Sequence, residues 1–108
     1  MVQRVADDLR LKQITDTIVA AMKPKRILLF GSRARGDGGP DSDYDLLVEM
    51  DSSLPIPQRA MAIDRLFLRR RFSMDVFVFT PAEIRELRDR LGSIVYTAER
   101  EGVTLYAA

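Results

Sequence analysis

Three carboxylates and one Gly-Ser pair are the residues in this chain whose types and spacing suit chemistry. Asp43 and Asp45 flank Tyr44 at the start of an apolar run. On a strand, residues two apart share a face, about 6.6–7 Å apart along the chain. Two carboxylates so placed can grip a hard cation. Magnesium suits them, because it takes oxygen ligands, keeps several waters and completes its shell with phosphate oxygens. Asp75 opens a further run, Asp75-Val76-Phe77-Val78-Phe79. If the two strands are neighbours, Asp75 joins the same face. Three carboxylates then suffice for two divalent ions, one activating an attacking oxygen and the other stabilising a leaving phosphate. Upstream, Gly31-Ser32 follows the apolar run Arg26–Phe30 and enters a glycine-rich turn. Backbone N–H groups there, with the Ser32 hydroxyl, can cradle a triphosphate. Arg33 and Arg35 stand near enough to add charge, and Arg suits bidentate phosphate contacts. The order of anion cradle, acidic pair and third acid describes a nucleoside triphosphate site with metals. Its expected catalytic and metal-binding residues are Asp43, Asp45 and Asp75; its expected nucleotide-binding residues are Gly31, Ser32 and Arg33.

Competing chemistries fall away. The glycine stretch is neither Gly-x-x-x-x-Gly-Lys-Ser/Thr nor Gly-x-Gly-x-x-Gly, so it is no P-loop and no dinucleotide fingerprint. Asp41, Asp43 and Asp45 look like the opening of a calcium loop, but the sixth and twelfth positions hold Leu46 and Ser52 where Gly and Glu belong. The 108 residues contain no Cys, no His and no Trp. That excludes disulfides, a zinc-finger-type site, a cysteine nucleophile and a Ser-His-Asp triad. Without His, Asp75 or an oxygen activated by the cation is left to accept a proton.

The elements that must position these residues are short. Leu11, Ile14, Ile18 and Met22 build one apolar face of a helix from about Ala6 to Met22, which Pro24 stops. Arg26–Phe30 reads as a buried strand. Four of the six glycines then crowd into Gly31–Pro40, where the backbone takes unusual angles or approaches something closely. A second strand follows Asp43. Gln58–Arg71 reads as a helix with Ala60, Ile63, Leu66, Phe67 and Arg70 on one side and Arg59, Asp64, Arg65, Arg69 and Arg71 directed elsewhere. Asp75–Phe79 is the third strand. Thr80-Pro81-Ala82-Glu83 carries a helix start, with N-cap, Pro and acid in their preferred places. Ile84, Leu87, Leu91, Ile94 and Val95 continue an apolar stripe that Gly92 breaks, and Gly102 ends the last helix before a tail or edge strand at Val103–Tyr106. The expected class is α+β with an α/β-like order, α-β-β-α-β-α. A mixed sheet of about three strands carries flanking helices in one domain over residues 1–108.

Composition sets the company such a domain keeps. Seventeen Lys and Arg against sixteen Asp and Glu leave a net charge of +1. A generic nucleic-acid binder is more basic, so direct nucleic-acid binding is not expected; Arg65, Arg69, Arg70 and Arg71 read as a solvated helical face. No apolar run approaches the ~20 residues that span a bilayer, and six charged residues among the first twenty argue against a cleaved leader. The expected location is the cytoplasm. A chain this small has little room for an enclosed pocket, so a partner or second subunit is expected in a homo- or hetero-oligomer.

Gly31-Ser32, ten residues, then Asp43-x-Asp45 resembles the signature of the DNA polymerase beta-like nucleotidyltransferase superfamily. The shortness of the chain is similar to its minimal nucleotidyltransferase (MNT) branch. The resemblance runs over nearly the whole chain and implies the nucleotidyltransferase fold. It implies magnesium-dependent transfer of a nucleoside monophosphate, AMP from ATP, to a hydroxyl. It places Gly31 and Ser32 on the triphosphate, Asp43 and Asp45 on the metals, and Asp75 on a metal and the acceptor. Stand-alone MNT proteins are often antitoxins beside a HEPN-domain ribonuclease toxin, and some adenylylate a tyrosine of that toxin. Two alternatives stand beside that expectation. One is an antitoxin that binds nucleotide without turnover and neutralises by contact. The other is a small-molecule adenylyltransferase of the aminoglycoside type, which usually carries an extra helical domain.

Overall fold

A computed structural model describes Val5 and residues 8–108 of the chain. Helix α1, Leu9–Met22, is capped by Asp8, whose carboxylate accepts the Leu11 N–H at 3.0 Å. The expected start at Ala6 lies outside the described residues. The helix stops where Lys23 turns left-handed, φ 49°, ahead of Pro24. Its buried side, Leu11, Ile14 and Ile18, is the spacing-derived stripe.

Strand β1, Arg26–Phe30, turns through a one-turn helix α2, Ser32–Arg35, and a loop into β2, Tyr44–Glu49. Helix α3, Ile56–Asp64, gives way to a 3-10 turn at Arg65–Phe67. It is shorter than the sequence pattern indicated. Phe67 still packs against the core through the tighter turn, so the apolar period outlasts the α-helix. Strand β3 is Met74–Phe79, α4 is Pro81–Leu87, α5 is Ile94–Glu101, and β4 is Val103–Ala107.

The sheet has four strands in the order β3-β2-β1-β4, one more than expected, because the tail pairs along β1. β1 runs antiparallel to β2 and to β4, and β2 runs parallel to β3. Strand alternation splits the core in two. Ile27, Leu29, Tyr44, Leu46, Val48, Met74, Val76 and Val78 face α1 and Ile63 of α3. Leu28, Phe30, Leu47 and Phe79 face Ile84, Val95 and Ala98 of α4 and α5.

Arg59, Leu91 and Ile94 correct the sequence reading. Arg59 is directed inward: it is buried, donating to Glu83 Oε1 at 2.6 Å, Leu54 O at 2.8 Å and Val78 O at 3.3 Å. Leu91 and Ile94 do not continue the stripe; they are 81% and 36% exposed. The capping box at Thr80 and Glu83 forms as read, with Thr80 N–H bonded to Glu83 Oε1 at 2.8 Å. Gly102 ends α5 in extended backbone; it is required there by close approach, since a Cβ would overlap the Ala98 carbonyl oxygen. Among the described residues no helix is long and apolar enough to cross a membrane.

Candidate active site

The β1–β2 pairing brings the Gly-Ser pair to the acids. Phe30 is the register partner of Asp45. Gly31, one step beyond Phe30, therefore lies at the end of β2 where the acids begin. The approach is close enough that a Cβ on Gly31 would overlap Asp45 Oδ2, and Gly31 also has φ +77°. Only glycine meets both conditions without strain. The intervening loop is laced to itself. Gly36 closes α2 in left-handed conformation, the Gly36, Asp37 and Gly38 N–H groups converge on Ser32 O within 3.2 Å, and Gly39 N–H donates to Ser42 Oγ at 2.8 Å.

Tyr44 decides which way the acids face. Its ring is buried on the α1 side, with its hydroxyl 3.1 Å from Asp8 Oδ2, and Phe72 meets it edge-on. Burial, foremost, and the Asp8 charge push the Tyr44 hydroxyl above its ordinary pKa, so it stays a neutral donor. With Tyr44 pinned to one face, its neighbour Asp45 is turned to the opposite one. The parallel β2–β3 register then sets Asp45 against Asp75. Phe30 and Phe77, with ring centroids 5.9 Å apart, pack next to this pair.

Asp43 and Asp75 are exposed and Asp45 is half-buried. Burial, then the charges of Asp75 and Asp43, push the Asp45 carboxyl above the usual aspartate range, with Arg35 opposing. None of the three acids pairs with a Lys or Arg among the described residues. Nor, among those residues, do three acids already close around one point tightly enough to hold an ion. Two acids aligned by register, a third close enough to be felt and no counter-charge form a donor set that fits a divalent oxygen-seeking cation.

The structure directs Arg33 into the loop. Nε donates to Ser42 O at 2.8 Å, Nη2 donates to Pro40 O at 2.9 Å, and the guanidinium lies 3.9 Å from the Tyr44 ring centroid. Arg35 points the other way, to Asp37 and Glu101. Glu101 is the residue the sequence reading missed. Its Oε1 accepts the Gly31 N–H at 3.3 Å and an Arg35 N–H at 3.1 Å, so a carboxylate from the end of α5 sits on the backbone amide of the cradle. Antiparallel pairing of β1 with β4, Leu29 opposite Val103, carries it there. No local pattern announces a contact between residues 70 positions apart.

An acidic strand face beside a Gly-Ser turn, on a mixed sheet covered by helices on both sides, defines a transferase of nucleotidyl groups. The chain belongs to the nucleotidyltransferase domain family, whose pattern matches residues 10–103. Two solved structures share its fold. One is a candidate nucleotidyltransferase from Sulfolobus solfataricus, with TM-score 0.62 and 21% identity, covering 89% of this chain and 76% of that one. The other is a toxin-antitoxin structure with AMP-PNP, with TM-score 0.55 and 20% identity, covering 90% of this chain and 73% of that one. No curated protein matches the sequence as a relative.

Proposed function

We propose that the protein transfers AMP from ATP to a hydroxyl, with magnesium, and that the acceptor is a tyrosine of a HEPN-type ribonuclease toxin which the modification silences. The observation that carries this reading is the junction of Gly31 with Asp45, with Asp75 in register beside them. A phosphate-binding turn and an unneutralised carboxylate face share one edge there. Asp43, Asp45 and Asp75 would hold the cations, whose charge would offset that of the triphosphate and the departing pyrophosphate. Gly31 and Ser32 hold the triphosphate. The acceptor oxygen attacks the α-phosphorus, the bond from that phosphorus to the pyrophosphate oxygen breaks, and the hydroxyl proton passes to the Asp75 carboxylate. Asp75 is the exposed acid of the aligned pair, so an incoming protein surface can reach it. The fold shared with a toxin-antitoxin structure that contains AMP-PNP supports the choice of partner and nucleotide.

The test is intact mass spectrometry of a HEPN ribonuclease encoded beside this protein, incubated with it, magnesium and each nucleoside triphosphate in turn. The expected result is a gain of one or more AMP units with ATP alone. The gain is lost with EDTA and in Asp43→Ala/Asp45→Ala. A stable complex and a silenced ribonuclease with no change in mass would replace transfer by neutralisation through contact.

A further inference from the structure

At the start of the β2–β3 pair the surface changes sign. A cleft of about 330 Å³ opens there, walled by Arg10, Arg33 and Arg71 with Ser42, Phe72 and Ser73. Asp41 is the one acid in its wall. The cleft adjoins the reaction site through the chain itself. Ser42 immediately precedes Asp43, Ser73 stands two residues before Asp75, and Tyr44 N–H donates to Ser73 O at 3.0 Å, which holds the two segments side by side.

The three arginines differ in what they have left to offer. Arg33 is clamped on the loop carbonyls and on Asp8 Oδ2 at 3.6 Å, so it contributes a fixed positive wall. Arg10 and Arg71 are exposed and have no carboxylate partner among the described residues. Arg10 lies over the Phe72 ring, 5.2 Å from its centroid, which holds its fork at the cleft. Exposed guanidiniums around a polar cleft, with no carboxylate on them among the described residues, suit incoming carboxylates, which they bind through two parallel hydrogen bonds.

We propose that this cleft receives an acidic segment of the acceptor protein, next to the hydroxyl to be modified, and so selects the acceptor. The proposal rests on the transferase reading for the word acceptor, but the docking itself needs no nucleotide. A protein carboxylate fits better than single-stranded nucleic acid. The one ring in the wall is covered by Arg10 and packed edge-on by Tyr44 and Phe67, which takes up the stacking surface that unpaired bases use.

The probe is a fluorescent random copolymer of glutamate and tyrosine, read by anisotropy at low salt without nucleotide, with a lysine-tyrosine copolymer as counter-probe. The unaltered protein should bind the acidic copolymer and ignore the basic one. Arg10→Gln/Arg71→Gln should weaken binding at least tenfold, while Arg85→Gln/Arg90→Gln, equal in charge but elsewhere on the chain, should change it less than twofold. Circular dichroism melts confirm that both variants fold. Equal losses in the two variants, or no binding by the unaltered protein, would overturn the proposal. So would an oligoribonucleotide that displaces the copolymer and depends more strongly on Arg10 and Arg71. ATP affinity in the presence of magnesium, measured in parallel, should be the same in Arg10→Gln/Arg71→Gln as in the unaltered protein. Absence of ATP binding throughout would sink the transferase reading and leave the docking result standing.

Discussion

Replacing Gly31 by Ala imposes two separable costs. The first is conformational: φ +77° with ψ -161° is a region that essentially only glycine enters, and a Cβ there costs about 1–3 kcal/mol. The second is contact. The new Cβ would overlap Asp45 Oδ2 and stand 3.1 Å from Asp45 Cγ, so either the carboxylate swings away or the ends of β1 and β2 part. Overpacking of that kind costs about 1–3 kcal/mol. Together they amount to about 2–6 kcal/mol, a fall of at least about 10 °C in Tm for a domain of this size. In an Asp45→Ala background the carboxylate is gone and only the conformational cost remains, about 1–3 kcal/mol. The double-mutant cycle should therefore show a coupling of about 1–3 kcal/mol. Asp45→Ala alone should not lower Tm, because it removes a carboxylate disfavoured by burial and by two like charges. Thermal melts of the four proteins at pH 7 read out the cycle. If Gly31→Ala costs the same in both backgrounds, the close approach of the turn to the acid is not what fixes this glycine, and the junction argument fails with it.

Glu101 occupies the Gly31 amide, so a triphosphate must displace it; Glu101→Gln should tighten ATP about fivefold in calorimetry, from about 1 kcal/mol for a charged contact no longer lost. Unchanged or weaker binding would mean that Glu101 and nucleotide do not compete. Arg59→Met strands Glu83 and two carbonyl oxygens. It should cost about 2–3 kcal/mol, well beyond the loss in Glu83→Gln, as judged by urea titration. A cost below 1 kcal/mol would show the buried pair to be dispensable. Acid should unfold the protein partly through Glu83 and Glu99, held below the usual glutamate range chiefly by hydrogen bonds from Arg59 and Arg26. The unfolded chain binds their protons first, so their contribution is complete above about pH 4.3 and lost as pH falls through the folded values. Melts from pH 7 to 3 should therefore fall less steeply in Glu83→Gln/Glu99→Gln, and parallel curves would refute the assignment.

What the sequence made legible was local. Gly31-Ser32 and Asp43-x-Asp45 are joined by a loop that folds back on itself, so their nearness needs only an antiparallel return of one strand on the next. The Thr80–Glu83 box is likewise contained in four residues. Arg59 was misread because helical spacing records where a side chain projects, and it does not record a carboxylate on another element that can satisfy a buried guanidinium. The length of α3 was misread because Phe67 keeps packing on the core after the backbone has tightened.

The carboxylate face depends most on what no local pattern encodes. A parallel pair such as β2 and β3 cannot be joined by a tight turn, so its register is set by how α3 and the 3-10 turn pack across the sheet. A shift by one residue would put Asp75 on the face occupied by Tyr44 and Leu46. Two features oppose that shift: Tyr44 is held by Asp8, Arg33 and Phe72 on one side, and Val76 and Val78 are buried on the same side of β3. The residues that hold the acids in line are therefore apolar or aromatic and lie on the opposite face of the sheet. Tyr44 shows how the two are coupled, since the side chain that separates Asp43 from Asp45 in sequence is also the anchor that turns Asp45 toward Asp75.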